Sequence, residues 1–354
     1  MMQGSLKLAN GDIFNGDWHG EIHECYGEVI HYTGMGNFLE FLTDPAVKEK
    51  IVLSTYPGIL NGSIDANKFE SDYIQAAGVI TQQILPLNHQ DKKSIAGLCI
   101  QQGVPFMANM DTRAIMKRLR TGGEMPAQMV TQDELKVVVS NVSKVKSEST
   151  HKKMNHSGNK HIVIIDFGMK KSLINWLTAE NFKLTIVAPN IMVEELSALN
   201  PDGIVFSGGP GNPDLWMQFY QEYKKIAEKH PTIGFGLGHQ IIASSFGATI
   251  KKLTRGHRSF KQPIIHTVTN KVFLSIQNHG FSVEEQSLKE TGFSILYKSV
   301  QDGSVDGLIH DQYPITTYQF HPDGKNTELE SMILDSFFHQ LNEQKGVTLY
   351  AEAK

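Results

Sequence analysis

From residue 161 onward the apolar positions fall into short unbroken runs separated by stretches of helical spacing. His161-Ile-Val-Ile-Ile-Asp166, Lys183-Leu-Thr-Ile-Val-Ala188 and Gly203-Ile-Val-Phe206 read as strands, and 172–180 and 193–199 between them read as helices. Strands without polar alternation are buried on both faces, so strand, helix, strand at this spacing predicts right-handed crossovers and a parallel sheet covered on both sides. Ligands of such sheets bind beyond the carboxyl ends of the strands.

Before residue 143 the pattern differs. Apolar segments at 28–33, 51–55 and 77–81, parted by Gly, Asn, Asp and Pro, read as strands joined by turns. Helical stretches follow near 92–102 and from Asp111, a candidate cap, to about residue 120, before Gly122-Gly123. Between the two patterns, 143–160 contains almost nothing that could enter a core and reads as a linker. Its histidines His151 and His156, and His161 just after it, lack acidic or thiolate companions and read as solvated rather than metal-ligating. The organisation is a first domain over 1–142, a linker over 143–160 and a second domain over 161–345.

Composition narrows the function classes. The chain has 354 residues and a formal net charge of −4, with no long Lys/Arg run, which disfavours nucleic-acid and anionic-membrane partners. No run of 18 apolar residues and no leader pattern appear, and the chain reads as cytoplasmic. Cys25 and Cys99 are far apart and form no C-x-x-C or Cys/His spacing, so neither a disulfide framework nor a structural zinc site is expected.

Three loops at predicted strand ends carry the candidate chemistry. Ser207-Gly-Gly-Pro-Gly-Asn-Pro213 can bring backbone N–H groups close to a ligand, but lacks the Gly-Lys-Ser/Thr ending of a P-loop. Pro231-Thr-Ile-Gly-Phe-Gly236-Leu-Gly-His-Gln240 runs from a strand into a turn with glycines two residues either side of its centre, then into a helix. That is the layout of a nucleophile elbow, with Gly236 where the nucleophile belongs. Tyr318-Gln-Phe-His321-Pro-Asp323 ends a strand-like run in a histidine with a carboxylate two residues on, the base and orienting acid a nucleophile needs.

With these residues in place the sequence resembles the small subunit of carbamoyl-phosphate synthase, whose C-terminal half is a class I glutamine amidotransferase. The likeness covers almost the whole chain. In the first half it rests on Thr33-Gly-Met35, Glu40-Phe-Leu-Thr-Asp-Pro45, Thr55-Tyr-Pro57, Phe69-Glu-Ser71 and Asp111-Thr-Arg113. In the second half it rests on Asp166-Phe-Gly168, the loop 207–213, Gly238-His-Gln240, Gly256-His-Arg258, Gln277-Asn-His-Gly-Phe281, Asp302-Gly303, Val305-Asp-Gly307 and His321-Pro322. It implies an α/β protein: a mixed β/α N-terminal domain, then an amidotransferase domain with a parallel-rich sheet flanked by helices.

In that family the small subunit hydrolyses glutamine through a cysteine thioester. The ammonia passes to a large subunit, which makes carbamoyl phosphate from bicarbonate and ATP, for arginine or pyrimidine biosynthesis. The resemblance implies that glutamine is held by Gly34, Gly209, Gly211, Leu237, Gln240, Asn278, Gly280 and Phe281, with His321 as general base and Asp323 as its orienting acid. It implies no cofactor in this chain, ATP and its divalent metal belonging to the large subunit.

Two departures qualify this picture. Gly236 stands at the family's catalytic cysteine, and Asp323 at its usual glutamate. Loss of a comparable nucleophile costs on the order of 10⁶ in kcat, so the glutaminase step is expected to be impaired or lost. Cys25, Cys99, His239 and Ser244 do not occupy the turn and are not expected to replace it. The alternative is a non-catalytic glutamine-binding or interaction protein derived from the family. The retained first-domain motifs favour the synthase subunit.

Overall fold

The structure, a computed structural model, describes residues 2–85, 93–131, 152–154, 158–322 and 327–343. The chain forms two compact units. The first comprises Met1–Lys144 together with Leu253–Ser259, and the second comprises Val145–Lys252 with Phe260–Lys354.

The first unit is built on a closed barrel of seven strands. Met2–Leu8 pairs antiparallel with Ile13–His19 on one side and with Met125–Thr131 on the other, and Cys25–Tyr32 pairs antiparallel with Met125–Thr131. Cys25–Tyr32, Lys50–Ser54, Gly78–Ile80 and Phe106–Ala108 pair parallel in that order, and Phe106–Ala108 closes the barrel antiparallel on Ile13–His19. Closure leaves no free sheet edge. Leu6, Trp18, Val29, Ile51, Leu53, Ile80, Met107 and Met129 share a core with Ile115 and Leu119, which lie four apart on one face of helix Thr112–Gly122. Asp111 caps that helix by accepting from the Ala114 N–H at 2.9 Å. The earlier helix spans Ile95–Gln101, shorter than its sequence pattern predicts, because Ser94 caps it: Oγ accepts from the Gly97 N–H at 3.1 Å.

A polar cluster is buried in this unit. Arg258 reaches Glu124 with both arms of its guanidinium, Nε to Oε1 at 3.1 Å and Nη2 to Oε2 at 2.6 Å. His31 Nδ1 lies 3.4 Å from Glu124 Oε1. Burial alone would raise the Glu124 pKa, but the Arg258 charge and the contacts from His31 and Arg258 outweigh it and hold the carboxyl at about 2.

The second unit carries a sheet of ten strands. Its centre is parallel: Lys183–Val187, His161–Ile165, Gly203–Phe206, Thr232–Phe235 and Ile315–Tyr318 pair in that order. Alternate residues enter separate cores, Val163, Ile165, Ile204 and Phe206 on one side, Ile162, Ile164 and Val205 on the other. That double burial is why these strands read as unbroken apolar runs. On one flank Lys152–Met154, inside the polar span after residue 142, adds a short antiparallel strand. On the other flank Val305–His310, Phe293–Ser299, Ile250–His266 and Val272–Val283 extend the sheet antiparallel. No helix among the described residues is long and apolar enough to cross a membrane.

Candidate active site

The elbow forms where strand Thr232–Phe235 meets helix Leu237–Ser245. Gly236 sits between them at φ 53°, ψ −112°. A positive φ of this kind strains any residue with a Cβ and suits glycine. Two backbone bonds pin the turn: the Gly236 N–H donates to the Tyr318 carbonyl at 2.9 Å, and the Gly238 N–H to the Ser207 carbonyl at 3.0 Å. Ser207 is fully buried, and its Oγ accepts from the Phe167 N–H at 2.9 Å. One serine thereby ties the loop 207–213 to the elbow and to the loop after His161–Ile165.

His321 follows strand Ile315–Tyr318, and its N–H donates to the Ile276 carbonyl at 3.1 Å. Its ring is buried and faces the elbow. A Cβ built on Gly236 would lie 3.0 Å from His321 Nε2 and 3.5 Å from the Gly208 Cα. Gly208 in turn touches the imidazole so closely that a Cβ there would come within 2.5 Å of His321 Cε1. The absent side chain at 208 leaves the ring its place.

Of the other residues singled out from sequence, Gly209 and Gly211 lie in the loop 207–213, and Leu237 opens the elbow helix. Asn278, Gly280 and Phe281 lie on strand Val272–Val283. Gln240 is buried on the elbow helix, and its amide Nε2 donates to the Phe281 carbonyl at 3.0 Å and to Gln319 Oε1 at 2.9 Å. Gly34 belongs to the first unit, just past strand Cys25–Tyr32, where a Cβ would meet the Tyr32 hydroxyl at 2.5 Å. Asp323 lies outside the described residues, as do His151 and His156. His161 opens a strand, with Nε2 2.8 Å from Thr185 Oγ1.

No alternative thiol is close to being reactive: burial pushes both Cys25 and Cys99 up to about 12. His239 is wholly buried, its Nδ1 sits 2.8 Å from Thr317 Oγ1, and burial pushes its pKa down to about 3, so it stays neutral.

Residues 163–341 match the family described as glutamine amidotransferase class-I, and residues 6–129 match the carbamoyl-phosphate synthase small chain, CPSase domain. The chain is 39% identical over 347 residues to the carbamoyl phosphate synthase arginine-specific small chain of Halalkalibacterium halodurans, covering 96% of each chain. It is 37% identical to the arginine-specific small chain of Bacillus subtilis, covering 93% of this chain and 94% of that one. The chain belongs to the carbamoyl-phosphate synthase small-chain family.

Sequence reasoning missed several residues around the site. Gly208 and Ser207 were read only as part of a glycine-rich loop, although one borders the imidazole and the other joins three loops. Gln277, His279 and Asp306 were quoted within family motifs without a role. Gln319 sits two residues before His321 and carried no signal of its own, since its contact with Gln240 joins segments 79 residues apart.

Proposed function

We propose that this chain is the small subunit of a carbamoyl-phosphate synthase that docks on a large, ATP-using subunit and has lost its own glutaminase step. The observation that carries the reading is the 3.0 Å separation between His321 Nε2 and the point where a Cβ would stand on residue 236. A general base faces the position of a nucleophile, and the residue there is glycine. Without a thiol no bond forms to the amide carbon of glutamine, and the amide nitrogen is not released. His321 keeps the place of the base, with Asp323 as its orienting acid.

The glutamine pocket need not be lost with the thiol. Within the second unit its proposed contacts are Gly209, Gly211, Leu237, Gln240, Asn278, Gly280 and Phe281, chiefly backbone groups. Both N–H groups of the Gln240 amide are committed within the protein, so toward a ligand Gln240 offers only its carbonyl oxygen, an acceptor for the substrate's ammonium group. The barrel unit supports the synthase role over that of a free glutamine-binding protein, because 6–129 match a domain described for this small chain.

The test compares nitrogen sources. The complex of this chain with its large subunit should make carbamoyl phosphate from free ammonia, ATP and bicarbonate, and poorly from glutamine. The purified chain should release no ammonia from glutamine, about 10⁶-fold below a cysteine-bearing relative. Gly236→Cys should restore part of the activity. Glutaminase in the unaltered chain at the level of such a relative would sink the proposal.

A further inference from the structure

We propose that Asp306 is a positioning residue for the glutamine-binding strand: through Gln277 and His279 it fixes the Phe281 carbonyl, and with it the segment 278–281. This rests on the reading above that 278–281 meets glutamine.

The geometry is a closed ring of buried polar groups. Gln277 Nε2 donates to Asp306 Oδ2 at 2.9 Å, and Gln277 Oε1 lies 3.0 Å from His279 Nε2. His279 Nδ1 lies 2.8 Å from the Phe281 carbonyl, which also accepts from Gln240 at 3.0 Å. Gln240 donates in addition to Gln319, whose backbone N–H donates to the Asp306 carbonyl at 2.9 Å and closes the ring. The Phe281 carbonyl is therefore gripped from two sides, and both grips lead back to residue 306.

Proton arithmetic makes Gln277 the hinge of this ring. Both ring nitrogens of His279 face carbonyl oxygens, whereas a neutral imidazole carries one N–H. One arrangement is an imidazolium balanced by an ionised Asp306. The other turns the Gln277 amide over: a protonated Asp306 donates to its Oε1, and its Nε2 donates to His279 Nε2. Asp306 is fully buried, and burial pushes its carboxyl up to about 7, against the Gln277 hydrogen bond and with help from Asp302, which brings the protonated acid of the second arrangement within reach near neutral pH. Asparagine at 306 reproduces that arrangement, because its amide also donates to Gln277.

The ring is a poor device for stability. Among the described residues Asp306 Oδ1 and Gln319 Nε2 have no hydrogen-bond partner, and each such buried atom carries a desolvation cost. A network kept at that cost beside the proposed pocket points to geometry as its purpose.

Calorimetric titration of glutamine into the full chain tests this. Asp306→Asn should bind within about threefold of the unaltered chain. Asp306→Leu and Gln277→Met should each weaken binding by about tenfold or more, and the double variant should be no worse than the weaker single, because both cut the same link. Amide hydrogen exchange at 278–283, measured without glutamine, should quicken in the same variants and not in Asp306→Asn. If Asp306→Leu fails to fold, Gln277→Met carries the same comparison from the other end of the link. Binding and exchange unchanged in Gln277→Met overturn the proposal. An unaltered chain that binds no glutamine, with exchange still quickened in Gln277→Met, overturns the glutamine reading and supports the positioning role.

Discussion

Glu124 in the barrel unit and Asp306 in the amidotransferase unit are both carboxylates shut away from solvent, yet their surroundings treat them in opposite ways. Glu124 meets a guanidinium with both oxygens and is held at about 2. Asp306 meets an amide with one oxygen and is pushed up to about 7. Burial penalises both charges, and only a full opposite charge at hydrogen-bond distance overcomes it. The first is an ion pair that clamps residues 124 and 258, far apart in sequence, into one unit. The second is a neutral-leaning acid whose worth lies in where it places its neighbours.

The largest expected effect tests that contrast directly. Arg258→Met takes its guanidinium partner from a buried carboxylate in the barrel unit and should cost about 3–5 kcal/mol. Glu124→Leu added to it should recover most of the loss. Asp306→Asn removes no charge partner and should cost less than about 1 kcal/mol. Urea unfolding, with hydrogen exchange followed at 112–131 and at 305–318, reads each unit separately. Equal costs for Arg258→Met and Asp306→Asn would erase the distinction.

The pH dependence should be opposite for the two carboxylates. Glu124 has a folded pKa below its unfolded one, so the folded state binds fewer protons between them. Its contribution, on the order of 3 kcal/mol, is present above pH ~4.5 and lost as pH falls toward ~2. Asp306 has a folded pKa above its unfolded value near 3.9, so its contribution is present below pH ~4 and lost as pH rises through ~7. Asp306→Asn should therefore gain on the unaltered chain as pH rises from about 4 to about 7, measured as a difference in urea midpoint. A constant difference across that window would show that Asp306 does not titrate there.

The same contrast marks what the sequence could reveal. The parallel centre was legible because Ile162, Val163, Ile164 and Ile165 are buried on both faces and leave an unbroken apolar run. The long strand Ile250–His266 was not, because Lys251, Lys252, Thr254 and Arg255 break any apolar pattern and its middle, Leu253–Ser259, belongs to the other unit. Within the site, the elbow at 236 and the histidine at 321 could be read because each lies in a local motif at a strand end. The buried ring could not, since Gln240 and Gln319, or Gln277 and Asp306, become partners only when distant segments pair. Glu124 and Arg258 stayed hidden for the same reason.

The smallest expected effect asks whether the elbow resembles either of these regions, or stands on backbone alone. Gly236 has no side chain to contribute, and its turn is held by N–H groups donating to Tyr318 and Ser207. Alanine or cysteine there must adopt φ 53°, with a Cβ 3.0 Å from His321 Nε2, so the imidazole has to give by a few tenths of an ångström. The cost should be about 1–2 kcal/mol for either residue, a fall of a few degrees in Tm by calorimetry. Gly236→Ala and Gly236→Cys should match in stability while only the cysteine restores glutaminase, because the strain belongs to the Cβ and the chemistry to the sulfur. If alanine cost nothing, the turn would relax freely, and the backbone bonds from 236 and 238 would not be what keeps residue 236 opposite His321.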